Sequence, residues 1–125
     1  MKNIVEIYKA LSDETRLRMM RLLLDARTEL CCCEFADVLE VSQYNVSRHL
    51  KILERAGLIE SRKEGRWVYF ALSPGKNPLK QFVLKSVENI PAARFKKDGT
   101  ELKKRLKIRV RGKCLAGIQK KHLRT

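Results

Sequence analysis

Between residues 36 and 72 the spacing of apolar side chains changes period, and few folds accommodate the change. Phe35, Ala36, Val38 and Leu39 form a short helical face, which Val41-Ser42 interrupts. Ser42 is a strong N-cap residue, with a hydroxyl able to accept from the amide of Asn45. Val46, Leu50 and Leu53 then recur at i, i+4 and i+7 and turn inward, and Gly57 closes the helix. Two strand-like runs follow, residues 58–62 and 67–72, rich in β-branched and aromatic side chains. Lys63-Glu64-Gly65-Arg66 joins them as a tight turn. The reading is a helix-turn-helix followed by a β-hairpin wing, a mainly α fold suited to the DNA major groove.

The outward residues fit that use. Gln43, Tyr44, Ser47 and Arg48 project near the start of the second helix, with Ser42, Asn45 and Lys51 beside them. Amides and hydroxyls bond base edges, and Arg bonds guanine or phosphate. Arg62, Lys63 and Arg66 lie near the hairpin tip, within reach of flanking phosphates or the minor groove.

Charge points to the same partner. The chain carries a formal +14, unevenly spread. Residues 1–90 hold 15 Lys/Arg against 12 Asp/Glu; residues 91–125 hold 13 against 2. A polyanion is the expected ligand, with strongly salt-dependent affinity. The division is a DNA-binding and dimerisation domain over residues 1–90 and a basic extension over 91–125. No apolar run approaches the ~18 residues that span a membrane, no signal peptide is visible, and no strongly amphipathic face supports membrane-surface binding. A cytoplasmic location is expected, without a membrane partner.

The remaining segments read as helices. Ile4, Val5, Ile7, Tyr8 and Leu11 stripe the first. Ser12-Asp13-Glu14 caps a second through Leu17, Met20, Leu23 and Leu24. Leu79, Phe82, Val83, Val87 and Ile90 define another, stopped by Pro91. A winged helix has no internal use for both terminal helices, so their apolar faces are expected to form a homodimer interface, which suits an inverted-repeat site on double-stranded DNA. Leu102, Leu106 and Val110 fit a further helix, expected over residues 100–109, while Leu106, Ile108 and Val110 equally fit the alternation of a strand.

Four cysteines complete the picture: Cys31, Cys32 and Cys33 at the start of the third helix, and Cys114 in the extension. Adjacent cysteines pair poorly, so metal or redox chemistry outranks a disulfide framework. On a regular helix three successive side chains fan over about 200° and cannot share an ion unless the helix start unwinds. An enzyme is not expected. There is no Cys-x-x-Cys in a βαβ context, no phosphate-binding glycine loop and no Cys-His-carboxylate set. His49, in the reading helix, is expected to support that helix.

Three stretches, ALSDETRLRMMRLL at 10–23, ELCCCEF at 29–35 and VSQYNVSRHLKILERAGLIESRKEGRWVYFAL at 41–72, resemble the ArsR/SmtB family of metalloregulatory repressors. With the flanking helices the resemblance covers residues 3–90. It implies a homodimeric winged-helix repressor that leaves its operator when an inducer binds, with no organic cofactor. Members responding to arsenic, antimony or cadmium carry a Glu-Leu-Cys-x-Cys-Asp/Glu motif, matched by residues 29–34 with Cys31 and Cys33 as the motif thiols. The implied inducer is As(III) or Sb(III), with Cd, Pb or Zn as alternatives, since all accept thiolates. A third cysteine found in some members is replaced by Ala36, so Cys32 or Cys114, the latter from either subunit, completes the set. The zinc site of the fifth helix in some relatives is not expected, because residues 79–90 hold no His or Asp. A repressor that senses thiol oxidation would use the same cysteines.

Overall fold

The structure, a computed structural model, describes residues 1–114 and 116–124. Six helices surround a small sheet: α1 (Lys2–Leu11), α2 (Glu14–Ala26), α3 (Cys32–Leu39), α4 (Gln43–Arg55), α5 (Pro78–Glu88) and α6 (Lys96–Leu106). Strands β1 (Leu30–Cys31), β2 (Ile59–Glu64) and β3 (Trp67–Leu72) lie in the order β1-β3-β2, all antiparallel. The helix-turn-helix is α3–α4 and the wing is β2–β3. No helix among the described residues is long and apolar enough to cross a membrane.

Local chemistry sets the boundaries. Asp13 accepts from the Arg16 amide at 3.1 Å and opens α2. The Ser42 hydroxyl accepts from the Asn45 amide at 3.3 Å and opens α4 as expected. Asn77 with Pro78 opens α5. Gly57, at φ 77°, turns the chain from α4 into β2.

The core is built on Phe35, Met19, Met20, Leu22, Leu23, Leu50 and Leu53, all essentially inaccessible. Leu102, Cys114, Ile118 and Leu123 join the same cluster. The basic extension therefore contributes to one hydrophobic core with the rest of the chain. Arg18 binds Asp98 through two contacts of 2.9 Å. Arg21 donates to the carbonyls of Val87, Glu88 and Ile90, satisfying the end of α5.

Two expectations are corrected. The helix expected over 100–109 spans Lys96–Leu106 instead. Gly99 sits inside it, where glycine costs roughly 1 kcal/mol, because Asp98 ties the first turn to α2. The third helix begins at Cys32, and Cys31 belongs to a two-residue strand on the free edge of β3, where it pairs with Tyr69. A strand that short has no periodicity to read.

Candidate thiol centre and nucleic-acid interface

Cys31 is the N-cap of α3, with extended backbone (φ −94°, ψ 164°). The helix therefore starts one residue later than a continuous cysteine helix would, which removes the fan of three side chains. Cys31 and Cys33 point the same way, with Sγ atoms 2.9 Å apart. Cys114 arrives from the extension of the same chain, its Sγ 3.3 Å from that of Cys33. All three are buried, and their sulfurs lie within 4.8 Å of one another. Cys32 faces elsewhere: its Sγ is 3.5 Å from the Ser47 hydroxyl and 4.0 Å from the Gln43 carbonyl, both on α4.

Two buried carboxylates on α3 hold Cys114 in place. Glu34 is fully inaccessible. One of its oxygens accepts from the Cys31 amide at 3.0 Å, and both accept from Arg109, at 2.6 and 2.7 Å. Asp37 accepts from Arg105 at 2.8 Å and from the amides of Gln119 and Lys120 at 3.0–3.1 Å. Arg105 continues to the carbonyls of Ala116 and Gly117 at 3.0 and 3.2 Å. The pairs run in parallel, with Glu34 and Asp37 three apart on α3, Arg105 in the last turn of α6 and Arg109 three residues beyond its end. That order is the sequence signal for the clasp. It is easily masked, because a basic run ordinarily reads as a solvated face.

Arg105 also tunes the thiols. The Cys31 and Cys33 thiols cluster around Cys114 and the guanidinium lies 3.8 Å from its sulfur, so its pKa falls below the ordinary thiol value despite burial. Those of Cys31 and Cys33 rise, chiefly through their bonds to Cys114. Of the three thiols, Cys114 is the one whose ionisation the surroundings favour, through its two thiol neighbours and the Arg105 guanidinium. Burial pushes the Cys32 thiol up.

The DNA candidates lie on α4 and on the wing. Gln43, Tyr44, Arg48 and Lys51 are exposed on α4, with Ser42, Asn45 and Ser47 partly so. Arg48 donates to Asn45 at 3.3 Å. Gln43, Ser47 and Lys51 share a cleft of about 400 Å³ with Cys32, Arg66 and Phe70. Lys63 and Arg66 are exposed at the wing tip, Arg66 lying 5.0 Å over the Trp67 ring. Arg62 is engaged by the carboxylates of Glu29 and Glu64 and stacks 4.9 Å over Tyr69. His49 Nδ1 accepts from the Arg16 guanidinium at 3.0 Å, joining α4 to the start of α2.

Comparison with known proteins places this geometry in context. Residues 13–61 match the family described as "Bacterial regulatory protein, arsR family". Over 70 residues the chain is 46% identical to the arsenical resistance operon repressor of Escherichia coli K12, covering 56% of this chain and 59% of that one. The chain spans a little over half the length of such curated arsenic-resistance relatives. Its fold superposes on HlyU from Vibrio cholerae N16961 with a TM-score of 0.61 and 32% identity, over 71% of this chain and 91% of that one. The homodimeric winged helix-turn-helix DNA-binding domain Mb0332 from Mycobacterium bovis gives 0.58 and 28% identity, covering 70% and 78%. Arg105, Arg109 and Cys114 lie beyond the residues that the family description matches.

Proposed function

Because the chain belongs to the arsR family of bacterial regulatory proteins, we propose that it is a homodimeric DNA-binding repressor, not an enzyme. It releases an inverted-repeat operator when a thiophilic ion, arsenite or antimonite first, is captured by Cys31, Cys33 and Cys114. The observation that carries the reading is the convergence of these three buried sulfurs, with no fourth Cys, His or carboxylate atom grouped with them among the described residues. Sulfurs about 2.3 Å from a tetrahedral ion stand about 3.8 Å apart. The Cys31–Cys33 and Cys33–Cys114 separations of 2.9 and 3.3 Å already lie inside that span, so these sulfurs are close enough to share one ion. The stoichiometry also suits arsenite. Three As–S bonds replace three As–O bonds and three waters leave, each arsenite hydroxyl taking one cysteine proton, or one from solvent where a thiol is already ionised.

Coupling to DNA runs through α3. Gathering the sulfurs on one ion pulls on Cys31 and the first turn of α3, and it carries Cys32 against Ser47 and Gln43. The inducer need only bind the state of low DNA affinity more tightly; linkage then requires it to weaken DNA binding. In the DNA-bound state Ser42, Gln43, Tyr44, Asn45, Ser47, Arg48 and Lys51 meet the major groove, and Lys63 and Arg66 meet the flanks. Arg62 contributes there only by leaving its two carboxylates.

The test is fluorescence anisotropy of the reduced protein on a labelled duplex from its own promoter, titrated with arsenite. Release at near-stoichiometric arsenite is expected. Retention throughout would remove arsenite and leave cadmium, lead and zinc; release by peroxide without metal, reversed by a thiol reductant, would identify a thiol-oxidation switch instead.

Dimerisation follows from exposed apolar side chains on the terminal helices: Ile4, Val5 and Tyr8 on α1 and Phe82, 73% exposed, on α5. Burying them between two copies removes an otherwise unfavourable surface. Phe82→Asp should shift sedimentation from dimer to monomer and weaken operator binding. An unchanged dimer would place the interface elsewhere.

A further inference from the structure

We propose that the turn at residues 110–113 is a second DNA-contacting wing, which presents Arg111 to the phosphate backbone beside the hairpin. This rests on the DNA-binding reading above. Cross-strand partners share a face of a sheet, so Ser61 and Phe70 lie on one face of the wing and Arg62, Glu64, Trp67 and Tyr69 on the other. The first face belongs to α4: the Ser61 hydroxyl donates to Glu54 at 2.6 Å. The second face is covered by the extension. Lys113 binds Glu64 at 2.9 Å, and the Tyr69 hydroxyl donates to the Cys114 carbonyl at 3.3 Å.

The turn itself is a miniature hairpin. Val110 and Lys113 exchange two backbone hydrogen bonds of 2.9 and 3.0 Å, with Arg111 and Gly112 at φ 53° and 75°. Positive φ at both central positions is the geometry in which Asn-Gly or Gly-Gly is easiest, and an arginine there costs backbone strain. Arg111 is exposed and makes no ion pair among the described residues. Lys113 docks the turn, and Arg111 stands at its apex near the wing's tip, where Arg62 is already committed to Glu29 and Glu64. The fitting partner is duplex DNA contacted through phosphate, because a lone guanidinium on a flank positions without reading sequence.

The experiment is the salt dependence of operator affinity for the full chain, for Arg111→Gln and for Arg111→Lys. Lys97→Gln, near the start of α6, serves as a charge-matched control. Removing one cation from a phosphate lowers the slope of log K against log salt by about 0.9. Arg111→Gln should flatten the slope by about that much per protomer, Arg111→Lys should restore it, and Lys97→Gln should leave it near wild type. An unchanged slope in Arg111→Gln overturns the proposal. So does an equal reduction in Lys97→Gln, which would mean a diffuse field. Absence of operator binding by the wild-type chain would instead defeat the DNA-binding reading.

Discussion

Cys114→Ser is expected to raise the arsenite concentration needed for operator release by at least about 100-fold while operator affinity without arsenite stays near wild type. Loss of an outer-shell partner of a metal ligand already costs about 10–100-fold, and here one of the three proposed ligand sulfurs is itself removed. DNA affinity is preserved because Cys114 lies against Cys33, Arg105 and Tyr69 rather than α4. Cys32→Ser provides the contrast. Its sulfur lies 3.5 Å from Ser47 and outside the three-thiol cluster, so arsenite should still bind at wild-type concentration. Paired anisotropy titrations read both variants. Normal induction of Cys114→Ser would break the assignment of the third ligand.

Asp37→Ala is expected to be the most destabilising single change among the polar residues of the site. The Asp37 carboxylate serves Arg105 and two backbone amides at once, and both it and Arg105 are almost wholly buried. Arg105 already has one nitrogen, Nη1, without a partner. Removing Asp37 strands a buried cation, a change that costs about 3–5 kcal/mol out of a total stability of about 5–15 kcal/mol. The urea midpoint should fall accordingly, and the thiol centre should loosen because residues 116–120 lose their anchor. A loss under about 1 kcal/mol would mean that the extension is not clasped to α3 through this residue.

The helix-turn-helix and wing were legible in sequence because each obeys a period, Val46–Leu50–Leu53 on α4 and the β-branched and aromatic run of β3, and because Ser42 and Gly57 punctuate them. The thiol centre was only half legible. Cys31 and Cys33 stood out by their match to the Glu-Leu-Cys-x-Cys motif, but the choice between Cys32 and Cys114 turns on where α3 begins, and that depends on β1, a two-residue strand made only by its partner β3. The extension was least legible. Its cations looked like a field for a polyanion, whereas Arg105 and Arg109 spend their charge inside the protein on Asp37 and Glu34. Gly99 also misdirected the start of α6, since its cost is local while the contact that offsets it, Arg18–Asp98, spans 80 residues.

The two clasps have a genetic consequence. They bring Cys114 to Cys31 and Cys33 within one polypeptide, so with these three sulfurs as the proposed inducer site each copy would carry the whole set. An allele lacking Cys31 and another lacking Cys114 cannot then complement each other. In a mixed dimer each half is broken at its own site, and no reshuffling of subunits reassembles an intact one.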